Sequence, residues 1–155
     1  MGGKKGKSKG KGKKIPRWKE EPSPQKEPTL TSFDSESCCP SWRVASMDRD
    51  GPFGWNSVSC KTFLSDIWPK LRGYEAMTWK QIHAAPKKNH STKVSSLSKK
   101  ARDRLAEIEQ DDLTTLFRFR LTGKQRLWGI KRDIYFDILW WDPKHEVCPS
   151  KKKHT

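Results

Sequence analysis

The stretch from Thr115 to Asp142, TLFRFRLTGKQRLWGIKRDIYFDILWWD, decides the fold. Strict alternation from Thr115 to Leu121 sets Phe117, Phe119 and Leu121 on one face and Arg118 and Arg120 on the other, the period of two that marks a β-strand. Thr122-Gly123 ends that run in a turn, Gln125 to Lys131 resumes it, Arg132-Asp133 turns again, and Ile134 to Trp141 supplies a third strand. Three strands joined by two tight turns predict an antiparallel meander with one greasy face and one basic face.

Working outward, Ser41 to Met47 reads as an extended run, followed by turn signals at Asp50-Gly51-Pro52 and Gly54. From about Lys61 the apolar spacing becomes helical: Phe63, Ile67 and Leu71 fall four apart, with Leu64 and Trp68 beside them in one stripe. Pro69 lacks an amide proton, so it is expected to kink or shorten this helix. Thr78-Trp79-Lys80-Gln81 is a capping-box pattern that opens a second, short helix, which Pro86 stops. Lys87 to Lys93 is polar and reads as a loop. Leu97, Ala101, Leu105 and Ile108 then mark a third helix capped near Ser95 or Ser96, and the acidic residues Glu107 to Asp112 oppose its dipole and favour early fraying. The expected architecture is α+β: an N-terminal strand, two to three helices on one face of a sheet, then a meander of three to four strands, in a single small domain over residues 41–155.

The 155 residues carry a formal net charge of +15, which makes an anion the first partner to consider. No apolar run reaches the roughly 20 residues that span a bilayer, and the lysine-rich start lacks the apolar segment of a secretory signal, so no membrane partner and a cytoplasmic location are expected. In that compartment Cys38, Cys39, Cys60 and Cys148 stay reduced. Zinc is disfavoured, because Cys38-Cys39 and His145-x-x-Cys148 offer no C-x-x-C chelate, and no phosphate-loop, dinucleotide or serine-elbow motif occurs. No metal and no cofactor are expected. Residues 1–40, rich in Lys, Gly, Ser, Pro and Glu, bury too little to order themselves and read as a disordered basic tail.

The run Phe117 to Ile130, followed by Leu139-Trp140-Trp141-Asp142-Pro143-Lys144-His145, resembles a family of small uncharacterised bacterial proteins, which in layout are similar to toxins of the RelE/ParE toxin-antitoxin superfamily. The resemblance implies a RelE-like domain and metal-independent cleavage of messenger RNA, with the ribose 2′-hydroxyl attacking its neighbouring phosphate. A cognate antitoxin is the implied partner. Such chemistry needs a base, an acid and fixed cations for the crowded phosphorane.

Under that resemblance the catalytic candidates are Arg118, Arg120, Tyr135, His145 and His154. Arg118, Arg120, Lys131 and Tyr135 are expected on the open face of the sheet, with Arg126 near the hairpin end. The two histidines titrate in the useful range. Arg126, Lys131, Trp141, Lys151, Lys152 and Lys153 are the candidates for RNA binding. Of the eight tryptophans, Trp68, Trp79, Trp128 and Trp140 fall on apolar faces, whereas Trp141 lies opposite Trp140 and is available to stack on a base. Two functions fit: a metal-independent ribonuclease, and a non-catalytic RNA- or DNA-binding protein using the same charge.

Overall fold

The predicted strands form: β3 (Thr115–Arg120), β4 (Arg126–Arg132) and β5 (Tyr135–Asp142) pair as an antiparallel meander. The computed structural model describes Gly2 and residues 33–150; the remaining residues of the basic tail, and with them Lys151, Lys152, Lys153 and His154, lie outside the described residues. The sheet is wider than the meander and mixed, with the order β1-β5-β4-β3-β2. β1 (Ser41–Arg43) runs parallel to β5, and β2 (His90–Lys93) adds antiparallel to β3. β2 corrects the expected loop at Lys87 to Lys93: four polar residues at a sheet edge need no apolar alternation, because only their backbones pair.

Helices do not keep to one face. α1 (Cys60–Thr62), a π-helical turn (Phe63–Ile67), α2 (Trp68–Glu75) and α3 (Trp79–His83) bring Ile67, Leu71, Trp79 and Ile82 into a core with Phe117, Phe119, Leu127, Phe136, Ile138 and Trp141. α4 (Lys99–Glu107) brings Ala101 and Leu105 into a second core with Leu116, Trp128, Ile130, Leu139 and Trp140. The basic face is therefore apolar over much of its area and covered there.

Local chemistry explains the helices. Pro69 does not break its helix: the Trp68 amide donates to the Phe63 carbonyl, five residues back, and the widened turn carries the chain past the proline. Leu64 and Trp68 are not core residues; each sits one position, about 100°, beyond the Phe63, Ile67 and Leu71 stripe, and Trp68 remains 47% exposed with the Arg72 guanidinium over its ring. The capping box forms as read, with Thr78 Oγ accepting from the Gln81 amide and Gln81 Oε1 from the Thr78 amide. Ser98, rather than Ser95 or Ser96, caps α4.

The folded unit also takes in residues ahead of β1. Asp34 caps a short 3-10 turn (Ser35–Ser37), Pro40 is buried, and Glu36 bonds His83 Nδ1 at 2.7 Å and Lys131 Nζ at 3.3 Å.

One irregularity positions the candidate site. Gly129 pairs with Ile138 but Trp128 pairs with Trp140, so Leu139 is an extra residue in β5, a β-bulge. Leu139 and Trp140 consequently both enter the α4 core, and the facing of Trp141 and Asp142 is reversed. The Leu139 carbonyl, displaced from the ladder, accepts from the Asp48 amide at 3.1 Å and from Trp55 Nε1 at 3.0 Å. Asp48 is itself anchored: its buried carboxylate accepts from Arg104 Nε and Nη2 at 2.8 and 2.7 Å and from Trp140 Nε1 at 2.9 Å. A side chain at Gly129, beside the bulge, would stand 2.3 Å from the Asp137 carbonyl oxygen, so the close approach of the two strands requires glycine.

Candidate functional site

Where α4 leaves the basic face uncovered, three arginines and a histidine converge. Arg118 and Arg120 project from β3, and Arg126 opens β4 directly opposite Arg120. Arg126 is 6% exposed, Arg118 is half-buried and Arg120 is exposed. Arg126 Nη1 donates to the Thr122, Gly123 and Gln125 carbonyls, each at 3.0 Å, and so fixes the hairpin turn. Among the described residues, no carboxylate forms an ion pair with Arg118, Arg120 or Arg126, and the Nε atoms of Arg118 and Arg126 are buried without an acceptor. Burial, together with repulsion among the three, depresses the pKa of both Arg118 and Arg126. Asp142, opposite Arg126 across β4 and β5, offsets only part of this repulsion, and an anion seated among the arginines would relieve more of it.

His145 completes the cluster because Asp142 holds its turn. Buried Asp142 accepts from the Glu146 and Val147 amides at 2.8 and 3.0 Å and from Trp128 Nε1 at 3.3 Å, which folds Pro143 to Val147 back over the sheet. His145 occupies the left-handed region at φ 63°, which histidine enters more readily than most residues. Its Nε2 lies 3.2 Å from Arg118 Nη1; a guanidinium can only donate, so Nε2 accepts and the neutral ring carries its proton on Nδ1. Burial, with Arg126 and Arg118 nearby, lowers the His145 pKa below the ordinary 6.5, so the ring is neutral at physiological pH.

His90 stands beside this cluster. It pairs with Arg118 across β2 and β3, and its Nδ1 donates to the Pro86 carbonyl, leaving Nε2 as the acceptor of the neutral ring. Tyr74 and Asn89 brace the end of β3: the tyrosine hydroxyl donates to the Arg120 carbonyl at 2.7 Å, and Asn89 Oδ1 accepts from the Arg120 amide at 3.0 Å.

Arg118, Arg120, Arg126 and His145 are thus brought together, and three other candidates are not. Tyr135 shares the arginine face but pairs with Arg132 at the far end of β4, roughly 20 Å from Arg126, and its ring lies against Arg43. Lys131 points to the opposite face, over the Trp79 ring and toward Glu36. Trp141 is 5% exposed in the α1–α3 core, because the bulge reverses its side of the sheet; it is no stacking platform. His90, Asn89, Tyr74 and Asp142 were missed. Only Asp142 left a signal, a carboxylate just before a proline turn, where such side chains hold loop amides.

Among the described residues, no three His, Cys, Asp or Glu side chains gather as a metal site, and no helix is long and apolar enough to cross a membrane. No family model, no curated protein and no solved structure matches this chain.

Proposed function

We propose that the protein binds RNA at the Arg118, Arg120, Arg126 and His145 cluster and cleaves it without a metal, as a toxin-like endoribonuclease. The observation that carries this reading is a neutral histidine hydrogen-bonded at Nε2 to Arg118, one of three clustered arginines that form no ion pair with a carboxylate among the described residues. Once Arg118 turns its Nη1 to the phosphate, His145 Nε2 is free to take the 2′-hydroxyl proton while the 2′-oxygen attacks phosphorus; the bond to the 5′-oxygen breaks, and that oxygen takes a proton from solvent water. The products are a 2′,3′-cyclic phosphate and a 5′-hydroxyl. The arginines supply charge where the phosphorane gains it, which is the role fixed cations play in lowering such barriers. An antitoxin suited to this site would present carboxylates to the same arginines.

The test is cleavage of an end-labelled single-stranded RNA by purified protein in EDTA, alone and with programmed ribosomes. His145→Asn preserves a residue tolerant of positive φ but removes the base, so cleavage should fall about 100-fold or more while affinity changes little. Wild-type protein that binds RNA under both conditions without cutting it would refute the enzyme and leave a non-catalytic RNA-binding module.

A further inference from the structure

A cavity of about 680 Å³ opens between α2 and the β3–β4 hairpin, and Arg120 belongs both to its wall and to the arginine cluster. Its lining divides by chemistry. Tyr74, Met77 and Leu121 offer apolar surface, whereas Lys70, Lys88 and Arg120 are cations, and none of the lining residues is acidic. The Tyr74 ring is held against Phe119 at 4.6 Å and its hydroxyl is committed to Asn89 and the Arg120 carbonyl, so this wall is rigid.

Gly73 gives an independent sign that the space is kept open. Within a helix, glycine costs about 1 kcal/mol relative to alanine. Nothing in the fold asks for it: Gly73 has no positive φ, and a Cβ there would meet no atom within 4 Å. Gly73 is exposed and lines the cavity, with open space at its Cβ position. Gly123, across the cavity in the hairpin turn, has an equally open Cβ position.

We propose that this cavity seats the base of an unpaired nucleotide adjoining the phosphodiester held by Arg118, Arg126 and His145, with Lys70 and Lys88 taking its other phosphate. The inference rests on the phosphodiester reading above and narrows the substrate to single-stranded RNA longer than one nucleotide. A base stacked in a duplex cannot enter such a cavity, whereas a splayed base can bury its face on tyrosine, methionine and leucine. Arg120, shared by cavity and cluster, fixes the spacing between base and scissile phosphate.

The experiment compares three labelled probes: a single-stranded oligoribonucleotide, the same strand annealed to its complement, and an abasic ribose-phosphate strand of equal length. Wild-type protein should bind the first about tenfold or more tightly than the other two. Gly73→Leu should remove that preference and leave abasic-strand affinity unchanged, and Gly123→Leu, from a separate element, should do the same. Melting temperatures should not fall for Gly73→Leu, since leucine is the better helix former. Lys70→Ala with Lys88→Ala should weaken all three probes. If both glycine variants keep the wild-type preference while Arg118→Ala weakens every probe, the base site is refuted and the phosphodiester site stands. If Arg118→Ala weakens none of them, both are refuted.

Discussion

Asp48→Asn should destabilise the fold by about 2.5 kcal/mol and, through the bulge, loosen the candidate site. Arg104 holds the Asp48 carboxyl at about 2, against an ordinary value of 3.8, with further support from Trp140 and the Gly51 amide against the cost of burial. At about 1.4 kcal/mol for each pH unit between those values, the charged form is favoured in the native state by about 2.5 kcal/mol. Because the native pKa is depressed, this stability is fully present above about pH 4 and is lost as the pH falls through about 2. Asparagine keeps one acceptor oxygen but turns an amide donor toward the Arg104 guanidinium, so the bidentate pair cannot re-form. Urea unfolding followed by tryptophan fluorescence at pH 7, then from pH 4 to pH 2, measures both parts. The variant should be less stable at pH 7 and should lack the wild-type loss between pH 4 and pH 2. A variant within about 0.5 kcal/mol of wild type at pH 7, or one that keeps the same acid-induced loss, would show that the Asp48–Arg104 pair does not stabilise the fold in this way.

Cleavage should also report the electrostatics around His145. With its pKa lowered by burial and by Arg126 and Arg118, the base should give a rate that rises with pH and has its midpoint below 6.5. Arg126→Gln should move the inflection upward, and a profile centred at or above 6.5 in the wild type would contradict a depressed base. The same sign applies to stability: the contribution of a neutral, half-buried His145 is present above about pH 6.5 and declines as the pH falls through the depressed value. Burial opposes ionisation of Glu36, yet hydrogen bonds from His83 and Lys131 hold its carboxyl below the usual range. Glu36→Gln should lower stability by about 0.5 to 1 kcal/mol in low salt and by less at high salt, read from thermal melts at two ionic strengths.

The meander was legible because alternation is a local signal, and the capping box at Thr78 was legible for the same reason. β2 was not, since His90 to Lys93 pair only through their backbones at an edge. The parallel pairing of β1 with β5 depends on a contact between residues about ninety apart, with nothing in Ser41 to Arg43 to announce it. The α4 stripe was visible, but its destination was not. Trp128 and Ile130 share a face with Arg126 by simple parity, and that was the available hint that the arginine face also needed a cover.

The bulge at Leu139 explains why the candidate site was only half readable. Unbroken alternation from Tyr135 would set Trp141 beside the arginines and Asp142 on the opposite, α1–α3 face. One extra residue exchanges them: Trp141 is buried, and Asp142 arrives next to Trp128 and Arg126, where its carboxylate can fold the Pro143 to Val147 turn and place His145 on Arg118. No local propensity marks the extra residue, because Ile138, Leu139, Trp140 and Trp141 are all good strand formers. What stabilises it is remote: the Asp48 amide and the Trp55 indole both donate to the displaced Leu139 carbonyl. Arg118 and Arg120 were therefore found by counting along one strand, whereas the histidine beside them depends on a loop about ninety residues away. Loosening that loop should separate His145 from Arg118 before it unfolds the sheet.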